Sequence, residues 1–311
     1  MAEIRKLGAL VHRNVKVYFK DKMLFFVSMI TPLILVVLFL TFLGSVYRDA
    51  VTSALPDGVT VSDRLVNAFT GSWLFSSILS VSCVTVAFCS NVMVNDKLNR
   101  VVNDFHITPA KRSTLGLSYF LANFCTTLLV CLIAFAVGMI YLAIVGWYLS
   151  FGDAIMILLV ILLNTLFGVL FASIVCMFVN TQGALSAVCT LVSSMYGFIS
   201  GAYMPIAQFA APMRTVIGCL PGTYSTVLLR HYFMRGTTAA LGEYMPPEAV
   251  DGLQRSFDGS IEMFGSEVPI WAMFLIIGLT VVVLLGVYLT LAYLQGHRLR
   301  PQKTPKVAKT V

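Results

Sequence analysis

The sequence predicts an all-α integral membrane protein with six transmembrane helices, and three observations carry that prediction. The 311 residues are 58% hydrophobic and only 11% charged, with a mean hydropathy of +0.88, whereas soluble domains carry roughly 25% charged residues. Apolar runs long enough to cross a bilayer, about 20 residues each, recur at 23–47, 69–94, 115–147, 153–179, 183–204 and 269–295. Basic residues segregate among the segments that join those runs. Of 21 Lys and Arg, 15 fall in residues 1–22, in an island at 95–114 and after Gln295, while the other six lie in 48–68 and 205–268, beside nine acidic residues. Because Lys and Arg accumulate on the cytoplasmic side, both termini and the island are expected in the cytoplasm of a plasma-membrane protein. Trp73, Trp147 and Trp271 fall at the opposite ends of their spans, where an amphipathic ring suits the headgroup zone.

The elements follow in chain order. In residues 1–22, Ile4, Leu7, Val11, Val15 and Tyr18 make one stripe while Arg5, Arg13, Lys16 and Lys20 project from the other side. That pattern predicts an amphipathic helix on the inner membrane surface, apolar face in lipid. No apolar h-region with a small-residue cleavage site precedes the first span, so that span is expected to act as its own insertion signal. Between Thr114 and Met213 the only charge is Asp153. The third, fourth and fifth spans are therefore divided at turn signals, GWYLSFGD (146–153) and NTQG (180–183).

The island reads VNDKLNRVVNDFHITPAKR from Val94 to Arg112. Leu98, Val101, Val102 and Phe105 fall at helical spacing against a face of Asp96, Lys97, Arg100 and Asp104. Thr108 and Pro109 end that helix, and Ser113 can cap the next. After the fifth span, Pro205, Pro212 and Pro221 cut an apolar stretch into pieces expected to be too short to cross the core. An acidic, turn-rich external loop follows at 236–268 and a cytoplasmic tail at 296–311.

Several functions are disfavoured by what is missing. There is no GxxxxGK[ST] phosphate loop, so the chain is not expected to hydrolyse ATP itself. Span interiors offer neutral groups such as Asn123, Thr126, Thr127, Asn164, Thr165 and Ser173 rather than the charges of an ion-driven carrier. Seven cysteines form no CxxC pair and four histidines lie apart, so neither a metal nor a cofactor is expected in this chain. No HExxH or GxSG-type serine supports an intramembrane enzyme, and Asp153 has no evident partner. The net charge of +7 is spread as topology signals rather than gathered on a soluble domain, which excludes nucleic acid as a partner.

The whole pattern resembles the transmembrane subunit of a type-2 ABC exporter, a permease family that includes drug exporters and exporters of lipid-linked glycans. The resemblance is carried by DFHITPAKR (104–112) and by FISGAYMPIAQFAAPMRTVIGCLPGTYSTVLLR (198–230), the latter looking like the family's outer pair of short helices. It implies that the island is a coupling helix docking on a separate ATP-binding subunit through Asp96, Lys97, Leu98, Arg100, Val101, Asp104, Phe105, Thr108 and Pro109. It further implies two ATPase subunits carrying ATP and Mg, and two membrane halves, most simply a homodimer. A pathway or outer gate for an amphipathic or lipid-like substrate is expected near Asn164, Thr165, Ser194, Tyr196, Tyr203, Pro205 and Pro221, with spans two and five lining it. The loop at 236–268 favours the drug-exporter-like branch; a lipid-linked glycan exporter and a non-transporting sensor or scaffold are the alternatives.

Overall fold

Hydrocarbon solvates no backbone group, so each crossing must close its own hydrogen bonds, and this chain does so with helices. The computed structural model describes residues 2–53, 55, 61–99, 101, 112–263 and 266–298. Helix α1 (Ala2–Lys20) leads into the first span, which is α2 (Lys22–Leu38), a π turn (Phe39–Leu43) and α3 (Gly44–Ser53). The second is α4 (Asp63–Cys89), followed by the short α5 (Val92–Leu98). Next come α6 (Arg112–Val145), α7 (Phe151–Met177) and α8 (Gln182–Ile199), and the sixth span is α12 (Ile270–Arg298). Among the described residues, six helical runs are long and apolar enough to cross a membrane. The π turn is closed by the Gly44 N–H on Phe39 O, and a Cβ at Gly44 would lie 2.8 Å from that oxygen, so only glycine fits there.

The region after α8 departs from expectation. A 3-10 turn (Ile206–Gln208) and α9 (Ala211–Gly218) are the short pieces foreseen, but α10 (Pro221–Leu241) runs for 21 residues. Pro221 begins that helix, where its missing N–H costs nothing, and no proline follows before Pro246. Gly236 sits inside α10 because a side chain would strike the carbonyl of Tyr148. The stretch at 236–268 is likewise not one exposed loop: α10 extends into it, α11 (Pro247–Ser256) follows, and β1 (Glu262–Met263) pairs antiparallel with β2 (Ser266–Glu267). Leu253, Phe257 and Asp258 are buried there.

Helix α4 is the axis of the bundle, with contacts to α2, α3, α6, α7, α8 and α10. Its apolar window is 94% buried, against 11% for α8. That position suits its hydroxyls. Thr70, Ser76, Ser82 and Thr85 donate to carbonyls three or four residues back at 2.6–3.1 Å, and Ser80 shares a hydrogen with Thr226 of α10 at 2.6 Å. Gly168 of α7 lets two backbones touch, since a Cβ there would run into the carbonyl of Cys83. Beside that crossing, Asn164 donates to Ser80 O at 3.1 Å and accepts from Ser225 Oγ at 3.0 Å.

At the end of the bundle opposite α1, Arg230 of α10 is fully buried. It donates to Asp258 Oδ2 and Gly201 O, both at 2.6 Å, and to Ser77 Oγ at 3.1 Å, while its Cζ lies 4.6 Å from the Trp73 ring centroid. Asp258 also accepts the Ile206 N–H at 2.6 Å. Asp258 (φ 53°) and Gly201 (φ 73°) both adopt left-handed backbone to reach this arginine, a conformation that aspartate tolerates better than most side chains. Asp153, expected to lack a partner, takes Arg235 at 3.1 Å. Trp147 and Trp271 are 53% and 69% exposed, as a headgroup position requires, but Trp73 is wholly buried and braced by Tyr47 at 4.4 Å between ring centroids. The headgroup reading of Trp73 is thus corrected: Tyr47 and Arg230 cover its ring, so that it is enclosed by protein rather than open to headgroups.

Replacing Gly168 by alanine is expected to lower stability by about 1–3 kcal/mol through overpacking, seen as a lower melting temperature in mild detergent. Gly278→Ala is the contrast, because no atom lies within 4 Å of its Cβ position, and a gain of about 0.5–1 kcal/mol is expected from helix propensity.

Candidate functional site

Seven residues form α5, which continues the second span past a break at Ser90 and Asn91. A helix of two turns is not stable alone, so its surroundings must hold it. The break is secured from α6, where Asn123 donates to Ala87 O at 3.0 Å and accepts Ser90 Oγ at 2.6 Å. A carbonyl left over by the end of α4 thereby gains a partner. Val92 joins Tyr18, Leu115 and Tyr119 in a small apolar cluster, and Asp96, one helical turn on, is carried to the same inward side.

A carboxylate that is 5% exposed must be paired. Arg13 of α1 grips both oxygens of Asp96, Nη2 donating to Oδ1 at 3.1 Å and Nη1 to Oδ2, while Tyr119 of α6 donates its hydroxyl to Oδ2 at 2.7 Å. Two parallel charge-assisted bonds are the strong form of an arginine–carboxylate pair. The bond to Asp96 holds the Arg13 guanidinium above its ordinary range despite the opposing effect of burial. Around this clasp, Asn14 bonds Ser118 at 3.5 Å and Thr114 donates to Glu3 at 3.3 Å, both joining α1 to α6. Lys97 reaches the other way, to Val179 O at 3.3 Å and Asn180 Oδ1 at 2.5 Å, in the turn between α7 and α8. Helix α5 is therefore tied to α1, to α6 and to the α7–α8 turn.

The expected docking residues divide on this evidence. Asp96 is turned inward and serves the clasp; Lys97 is exposed but committed to the α7–α8 turn; Leu98 and Val101 are half-buried. Arg100, Asp104, Phe105, Thr108 and Pro109 lie outside the described residues. The apolar face of α1, expected in lipid, packs in part against α6: Tyr18 is fully buried, Leu7, Val11 and Val15 are half-buried, and Ile4 remains 75% exposed. Its sequence held a hint: Asn14 falls in line with Leu7, Val11 and Tyr18, a polar residue on the apolar stripe. Nothing in the sequence pairs Arg13 with Asp96, which are 83 residues apart.

The expected pathway residues do not converge on one cavity. Asn164 and Thr165 are buried toward α4, with Thr165 on Cys83 Sγ at 3.5 Å. Ser194 is on the exposed face of α8 and bonds Thr190 O at 2.8 Å. Tyr203 folds back over Gly197 to donate to Ser193 O at 3.0 Å, Tyr196 abuts Gly222, and Pro205 and Pro221 start the 3-10 turn and α10. Since α4 is enclosed within its own chain, its small residues serve packing here, whereas those of α8 remain open.

The sequence matches the family model described as ABC-2 type transporter over residues 5–234. No curated protein matches the chain. The matched segment runs from α1 into α10 and so contains both the clasp and the central helix. Nearly three quarters of the chain is covered, and the architecture agrees: the protein belongs to the ABC-2 type transporter family, as a multi-pass membrane permease component that works with an ATP-binding subunit and is not itself the ATPase.

Proposed function

We propose that this permease is one half of an ATP-driven exporter of an amphipathic or lipid-like substrate, assembled from two copies of the chain and two ATP-binding subunits that carry ATP and Mg. The plasma membrane is its site, with both termini in the cytoplasm. The single observation that carries the reading is the clasp at α5. The residues linking α5 to α6 would dock in a groove of the ATPase, and whatever moves them moves α5. The Arg13–Asp96–Tyr119 contacts and the Lys97 bonds then pass that displacement to α1, α6 and the α7–α8 turn together. Such rigid transmission is what alternating access requires of a lever.

The second copy is supported by α8, whose exposed face carries Ser186, Ala187, Thr190, Leu191 and Ser194. Small residues allow close helix approach in a membrane, and a pathway between two such faces would be weakly polar and uncharged.

Two experiments test this. Co-expressed with its neighbouring gene products and purified in mild detergent, the wild-type chain is expected to retain an ATPase and Phe105→Asp to lose it; an ATPase that stays bound and turns over normally in the variant removes the docking role of the link. Asp96→Ala is expected to keep the ATPase bound but to reduce substrate-stimulated ATP hydrolysis at least fivefold. The same variant should lose about 1–2 kcal/mol of stability, because charge-assisted bonds contribute roughly 1.5–3 kcal/mol and Arg13 is one-third exposed and partly screened. Unchanged coupling in a destabilised protein would make the clasp merely structural.

A further inference from the structure

Among the described residues, five buried side-chain polar atoms have no hydrogen-bond partner in the chain: Ser72 Oγ, Trp73 Nε1, Tyr196 OH, Ser200 Oγ and Arg230 Nε. Three of them belong to residues that meet around one side chain: Arg230 lies over the face of Trp73 and bonds the Gly201 carbonyl next to Ser200, whereas Tyr196 OH lies apart, against Gly222. Buried polar groups nearly always find a partner, so a local concentration of orphans points to something other than the polypeptide.

The chemistry of the orphans selects that partner. The indole N–H and the arginine Nε–H only donate, while the Ser200 hydroxyl can do either; the partner must therefore accept. Arg230 already faces Asp258 at 2.6 Å, and an added anion would be a buried charge without compensation. The partner is therefore neutral. Access is short, because Asp258 also lines a cavity of about 500 Å³ together with Ile206, Ala207, Arg214 and Arg255.

We propose that Trp73 Nε1, Arg230 Nε and Ser200 Oγ form a buried site for a neutral acceptor oxygen, supplied by water or by the carbonyl or ether group of an amphiphile, one ion pair beneath that cavity. The site rests on geometry alone and holds whether or not the chain drives export.

The test uses the full chain in lipid nanodiscs with Trp147→Phe and Trp271→Phe, both exposed positions, so that Trp73 is the one indole left. Ultraviolet resonance Raman spectroscopy then reads whether its N–H is hydrogen-bonded. The expected spectrum is that of a bonded indole. Prodan, a neutral amphiphile with a carbonyl acceptor, separates the two sources: a band shift on titration, with saturable energy transfer from Trp73, assigns the oxygen to an amphiphile, and an unmoved bonded band assigns it to water. A free indole N–H overturns the proposal. No ATPase is needed, so failure here leaves the transport reading standing.

Discussion

A helix made of small hydroxylated residues has a slim, bondable surface that neighbouring helices can approach closely, and the second span is such a helix. Its enclosure by other helices organises the bundle. Helices α6, α7 and α10 close around α4, and the apolar surface left exposed to lipid is carried mainly by α2, α6, α7 and α12. The hydroxyls bond mainly to their own helix, so α4 makes few demands on the side chains opposite. Close backbone crossing at Gly168 and the Asn164 bridge supply the specific contacts.

With the axis fixed, each end of the bundle is finished by a buried ion pair of a different kind. At the α1 end, Asp96 is gripped by an arginine that keeps one-third of its surface in solvent. At the other end, Arg230 and Asp258 are both enclosed, and the cost of desolvation is met by a dense set of further bonds. The first arrangement suits a joint that bears load next to water. The second fixes where α4, α8, α10 and the segment after α11 stand relative to one another, and either half left alone would be an uncompensated buried charge.

The spans were legible because the bilayer demands a long apolar run wherever the chain crosses, and that demand is local in sequence. The coarse assignment to an ABC-2 permease was legible for a related reason, since the order of spans, island and proline-cut segment is itself a pattern. Pairings were not legible. Asp96 looked like a docking charge because its helical spacing is real, and only the fold shows which side of α5 meets Arg13. Asp153 and Arg235 are 82 residues apart. Trp73 is enclosed by residues distant in sequence, Tyr47 and Arg230, and α10 outruns the proline pattern because Pro221 begins a helix rather than breaking one. An arginine inside the apolar run VLLRHYF was the one visible sign that a buried acid had to lie elsewhere.

The π turn in the first span sets the phase of everything beyond it. Leu35, Phe39, Tyr47 and Val51 are all buried, yet in an unbroken α-helix the eight residues from Phe39 to Tyr47 would leave their side chains about 80° apart. The wider turn holds extra residues per revolution and unwinds that difference, so both halves of the span show the same face to the bundle. Tyr47 reaches Trp73 only through this adjustment. A first span of equal hydrophobicity without Gly44 and its π turn would cross the membrane as readily, yet it would rotate Tyr47 toward lipid and leave the indole beside Arg230 without its brace.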